Sequence, residues 1–205
     1  LEIDFTILNK LTYSTLRKKA ALYITKERRV VFDSYSYFST HPRKLKKTDD
    51  LITAISIAYS WMPTMLDILD NDEKSLKYLV KDIRSLSAIK SFKRLQEREN
   101  EIKQVLIKLS RATNNSVIGA SKVLHLFYPT YIPIFDSRVN RAWNHLFPTE
   151  MKIPAISQKN QVDSYFKYWL ALLFWKEKLS KPGVRDIEKL LFVYGGYLKP
   201  KRKRK

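Results

Sequence analysis

The chain has 205 residues, 44% of them hydrophobic and 13% aromatic, enough to bury a sizeable core and to argue against disorder outside the C-terminal end. It has no cysteine, which excludes disulfides and thiolate metal sites and fits a reducing compartment. Net charge is +19, from 39 Lys and Arg against 20 Asp and Glu, and no apolar run approaches the roughly 20 residues of a membrane span.

The N-terminal residues Leu1-Glu2-Ile3-Asp4 have neither a basic region nor an apolar one, so no secretory signal is expected and a cytoplasmic location is. The last seven residues, Lys199 to Lys205, carry six positive charges and read as a disordered tail; +13 remains on residues 1–198. A folded body with that excess repels itself unless a polyanion offsets it, and a nucleic-acid backbone is the usual one. Lysine-rich surfaces of heat-adapted proteins carry matching Glu, and here Glu does not keep pace.

Four glycines, eight prolines and apolar residues at helical spacing predict an all-α protein. Segment 14–31 reads as a basic helix opened by Ser14, and 32–50 as a long aromatic and basic loop. Thr48-Asp49-Asp50 starts an apolar helix that Pro63 halts, and one or two helices fill 64–87. Residues 90–112 predict one long charged helix with Leu95, Ile102, Val105, Leu106 and Leu109 on a single face. A tight turn at Asn114-Asn115 and Gly119 feeds a short helix, Ala120 to Phe127. Asp136 begins another helix to about Leu146, 161–179 forms a central apolar one, and the last helix closes at Gly195-Gly196.

One stretch concentrates the chemistry. The apolar run Tyr131-Ile132-Pro133-Ile134-Phe135 ends in Asp136, and Arg138 and Arg141 follow on the next helix. The simplest reading makes Asp136 an N-cap, its carboxylate accepting from first-turn amides at the positive end of the helix dipole. The functional reading is a carboxylate walled by apolar groups and flanked by cations, the environment of a charged catalyst. His125, between Leu124 and Leu126, reads as a half-buried, satisfied histidine rather than a base. No spacing of His, Asp or Glu indicates a metal site, and no glycine pattern for a nucleotide cofactor is present, so no cofactor is expected.

The order of a turn with a glycine, a helix, and an apolar loop ending Pro133-x-x-Asp136-x-x-Val139-x-Arg141 resembles the core of the helix-hairpin-helix DNA glycosylases. That superfamily includes endonuclease III, the adenine-mismatch glycosylase and the alkyladenine glycosylases. The resemblance covers residues 113–143 and the last helix. It implies a two-lobed helical bundle over residues 1–198, with a cleft between the lobes. The family hairpin carries two glycines; here only Gly119 remains, and Asn115 is the residue able to adopt the missing left-handed conformation. The cysteine quartet that holds an iron–sulfur cluster in some members is absent.

What the resemblance implies for function is base excision from double-stranded DNA, by a monomer that flips the nucleotide out of the stack. Asp136 would stabilise positive charge on the sugar and orient the attacking water. Lys122 matches the lysine that attacks the sugar in bifunctional members, though its interval to Asp136 is about one helical turn shorter; the simpler reading is an exposed lysine on phosphate. Amides near Ile118, Gly119 and Ala120, with Asn115, Ser116, Arg138 and Arg141, would hold the DNA backbone. Tyr35, Tyr37, Phe38, Trp61 and Trp143 are candidates for the walls of a base pocket. The role would be DNA repair, or antiviral defence against modified bases. The competing reading is a non-catalytic helix-hairpin-helix protein that binds DNA or RNA, with Asp136 only a cap. An RNA-binding or ribosome-associated factor, resting on charge alone, comes last.

Overall fold

The computed structural model describes residues 5–24, 44–60, 62, 73–147, 152–153, 160–179 and 183–198. Among them are nine α-helices and no strand: α1 (Lys10–Ile24), α2 (Thr48–Ser60), α3 (Glu73–Ser85), α4 (Phe92–Glu97), α5 (Glu99–Arg111), α6 (Val117–Phe127), α7 (Ser137–Leu146), α8 (Gln161–Lys178) and α9 (Val184–Tyr197). Short 3-10 turns at Phe5–Ile7 and Leu86–Ala88 complete the set. The protein is an all-helical bundle, as the spacing of apolar residues predicts. No described helix is long and apolar enough to cross a membrane.

Helices α2, α3, α5 and α6 pack on one another, as do α1, α9 and α7, and α8 touches α4, α5, α6 and α9. One continuous cluster of buried apolar side chains joins both groups, with Trp143, Trp169 and Trp175 fully enclosed in it. Trp143 packs tilted against Phe147, ring centroids 4.3 Å apart, and meets Tyr168 edge-on at 5.7 Å. It therefore belongs to the core and cannot wall a base pocket. That corrects the expectation for Trp143, which its place on an amphipathic helix beside two arginines did not reveal.

Helix α1 starts at Lys10, so Ser14 lies inside it rather than opening it, and α6 starts at Val117, three residues before Ala120. Two further boundaries differ from the sequence reading. The long helix expected over 90–112 is two, α4 and α5, broken at Arg98 (φ −111°, ψ 24°). Ser91 caps α4 by accepting the Arg94 amide. At the break, the Arg98 guanidinium reaches back to the Ser85 carbonyl at 3.2 Å and to Glu101 at 2.7 Å. The expected apolar face survives, since Leu95, Ile102, Val105, Leu106 and Leu109 are all buried.

The second difference concerns the glycines of α9. They do not end the helix, which runs on to Tyr197, and neither has a positive φ. Gly195 instead lets α9 touch α7: a Cβ there would lie 1.9 Å from the Arg138 carbonyl oxygen. This close crossing sets the position of the helix that Asp136 caps.

Candidate functional site

The turn between α5 and α6 holds two left-handed residues, Asn114 and Asn115, each at φ 53°. Asn is the non-glycine residue that accepts this conformation most cheaply, so the pair does the work of absent glycines. The Thr113 hydroxyl donates to the Leu109 carbonyl at 2.9 Å, and the Ser116 hydroxyl caps α6 by accepting the Gly119 amide at 3.2 Å. From the start of α8, Gln161 clamps the turn, accepting from the Val117 amide at 3.0 Å and donating to the Asn115 carbonyl at 2.9 Å.

These bonds revise the anion-binding expectation. The Gly119 amide goes to Ser116 Oγ and the Ala120 amide to the Ser116 carbonyl at 3.0 Å, because the helix has already turned there. Of the three amides expected to hold phosphate, only that of Ile118 has no partner among the described residues. Gly119 packs closely: a Cβ on it would press on Thr113 Cβ at 3.0 Å and the Tyr59 hydroxyl at 3.4 Å.

Between α6 and α7 the chain passes through the interior. Residues 131–135 are all buried, yet they form no regular structure, so their polar backbone groups need side-chain partners. Trp169 Nε1 donates to the Tyr131 carbonyl at 2.7 Å, and the Tyr165 hydroxyl to the Pro133 carbonyl at 2.9 Å. His125 Nδ1 donates to the Ile132 carbonyl at 2.6 Å. The Ile134 amide is accepted by Glu188 Oε2 at 3.1 Å, and the Phe135 amide by Ser121 Oγ at 3.2 Å. The segment is a strap bolted to α6, α8 and α9, and Asp136 stands at its end.

The strap explains several buried polar groups at once. His125 is fully enclosed, not half-buried; burial, aided by the Arg185 charge, pushes its pKa down to about 3, so it is a neutral donor. Glu188 is 1% exposed, and burial raises its pKa to about 7 against the opposing Arg185 charge and the Ile134 hydrogen bond. Arg185 Nη1 is bonded to Glu188 Oε1. Nothing in the family resemblance pointed to Ser121, Tyr165, Trp169 or Glu188. The sequence does hold one sign: Glu188 lies on the stripe Val184, Ile187, Leu191, where an acid is out of place unless it has a partner.

At the end of the strap, Asp136 is half-buried and caps α7, its Oδ1 accepting the Val139 amide at 2.8 Å. No partner of Oδ2 lies among the described residues. The Asp136 charge acts on Lys122, Glu188 and Tyr168, which places its carboxylate near all three. Lys122 is half-buried rather than exposed; burial lowers its pKa below the usual lysine value, and the Asp136 carboxylate partly restores it. The Tyr168 hydroxyl is buried, has no hydrogen-bond partner among the described residues, and its pKa is raised well above the usual tyrosine value by burial and then by Glu188 and Asp136.

The two arginines of α7 part company. Arg141 Nη1 donates to the Gly195 and Leu198 carbonyls, both at 2.8 Å, and so closes the C-terminal end of α9. Its expected place on phosphate gives way to a helix-capping role. Arg138 lies over the Phe192 ring, 4.8 Å from its centroid. Tyr35, Tyr37, Phe38, Trp61 and the basic tail 199–205 lie outside the described residues. Among the described residues no group of three His, Asp or Glu side chains could hold a metal ion.

No protein-family model, no curated protein and no solved structure matches this chain.

Proposed function

We propose that the protein is a DNA glycosylase that binds double-stranded DNA as a monomer, extrudes a damaged or modified base and removes it with Asp136. The observation that carries this reading is the pair Asp136 and Lys122: a carboxylate fixed by its cap bond whose charge acts on a half-buried lysine, the ammonium form of which burial disfavours. An N-glycosidic bond breaks with positive charge building on the sugar, and a carboxylate held in place stabilises that charge without reorganising. A lysine pushed toward its neutral amine can instead attack the anomeric carbon, expelling the base and forming a Schiff base. The charge of +19 supplies the attraction to DNA. Repair of a lesion and defence against a hypermodified viral base both fit this chemistry.

The competing reading, a DNA- or RNA-binding protein without catalysis, has its own observation: Asp136 Oδ1 does cap α7, as an ordinary N-cap would. A panel of duplexes, each with one modified base, scored for abasic sites decides between them. Abasic-site formation on at least one duplex is expected, and its absence on all of them favours the binding protein. Borohydride trapping of a covalent adduct with the active duplex tests Lys122, and trapping should vanish in Lys122→Gln.

A further inference from the structure

A pocket lies at the other end of the strap from Asp136, with a volume of about 380 Å³. Three segments line it: the turn carrying Ser87 and Lys90, the turn Phe127 to Tyr131 after α6, and Lys176 in the last turn of α8. Among the described residues its charged lining is Lys90 and Lys176, joined by Ser87 and Thr130, and no acidic residue lines it. Neither lysine forms an ion pair with a described residue. The nearest acid in sequence, Glu177, accepts the Phe92 amide at 2.7 Å.

The walls are fixed. Tyr128 and Tyr131 stack at 5.5 Å, their hydroxyls held by the Ile83 carbonyl at 3.2 Å and the Ser87 carbonyl at 3.4 Å. Those tyrosine hydroxyls are thereby spent as donors to the protein. Helices α6 and α8 both end here. Their C-termini bring a partial negative charge of about half a unit each, which two full ammonium charges exceed. An open pocket with a tyrosine wall held in place, a net positive charge and N–H and O–H donors matches a tetrahedral oxyanion.

We propose that this pocket binds a phosphate group, either from a nucleic-acid backbone or from a free phosphate-bearing compound. The inference does not depend on Asp136 performing chemistry. It is tested with Lys90→Gln/Lys176→Gln, against a control pair Lys74→Gln/Lys81→Gln on the exposed face of α3 that removes the same charge. Two probes are used: inorganic pyrophosphate by calorimetry, and a 20-base-pair duplex over a salt series.

A backbone source predicts that the pocket pair lowers the slope of log affinity against log salt by about 1.8, or 0.9 per lost contact, while the control pair does not. A free-phosphate source predicts that pyrophosphate affinity falls at least tenfold in the pocket pair with the duplex slope unchanged. The proposal is overturned if wild-type protein binds no pyrophosphate and both pairs alter the duplex slope equally. Should the double variant unfold, the single Lys90→Gln, at an exposed position, is measured instead and should show about half the effect on slope.

Discussion

Glu188 and Ile134 are 54 positions apart, yet the carboxylate of one accepts the backbone amide of the other at 3.1 Å with no solvent between them. Ile134 lies two residues before Asp136, so a side chain on the last helix fixes where the candidate catalytic acid stands. A polar bond in the interior is maintained because breaking it strands the amide, which costs about 1–3 kcal/mol.

Glu188 also makes stability depend on pH. Its folded pKa, about 7, lies above its ordinary value of 4.5, so the folded state holds a proton that the unfolded chain releases. Stabilisation from that proton is complete below pH 4.5 and is lost as pH rises through about 7. Glu188→Gln keeps an acceptor for Ile134 but cannot titrate. The Tm of the variant relative to wild type should therefore climb between pH 4.5 and 7, as thermal unfolding will show. A constant difference across that window contradicts the assignment.

His125 has the opposite sign. Its folded pKa of about 3 is depressed from 6.5, so its contribution is present above pH 6.5 and disappears as pH falls through 3. In His125→Gln the amide can still donate to Ile132, and no proton is taken up. Wild type should lose Tm faster than this variant on acidification from pH 6.5 to 3, with the two curves converging at the acid end.

The α7–α9 crossing predicts a sharp contrast between adjacent glycines. Gly195→Ala places a methyl 1.9 Å from a backbone oxygen that cannot move aside, and should cost about 3 kcal/mol or more. Gly196 is exposed within the same helix, and its change to Ala should stabilise by up to about 1 kcal/mol. Urea denaturation of the two variants measures both.

At the α5–α6 turn, Asn115→Gly should leave stability within a few tenths of a kcal/mol or improve it, because φ 53° suits glycine. Valine at this position should cost about 1–2 kcal/mol, measured in the same way.

The helices were legible because burial imposes a period on the sequence, and Leu95 to Leu109 kept their shared face even where the helix broke. Asp136 was legible as an N-cap because it ends an apolar run and begins an amphipathic one. What holds it was not legible. Ser121, His125, Tyr165, Trp169 and Glu188 meet the strap from 7 to 54 positions away, and pairing at such distances is a property of packing. Arg141 misled for a related reason. A cation near the start of a helix looks the same in sequence whether it faces phosphate or the end of another helix.

The account rests on Asp136 acting as a charged group and not only as a cap, and Asp136→Asn separates the two because Asn caps a helix about as well as Asp. On a duplex with the preferred base, release by the variant should fall at least about a thousandfold, on the scale of losing a key electrostatic stabiliser. Its Tm should match wild type, and its duplex affinity should be unchanged or higher. Base release at near wild-type rates by Asp136→Asn, or a parallel fall in release, affinity and Tm, would contradict the account and leave Asp136 as a helix cap.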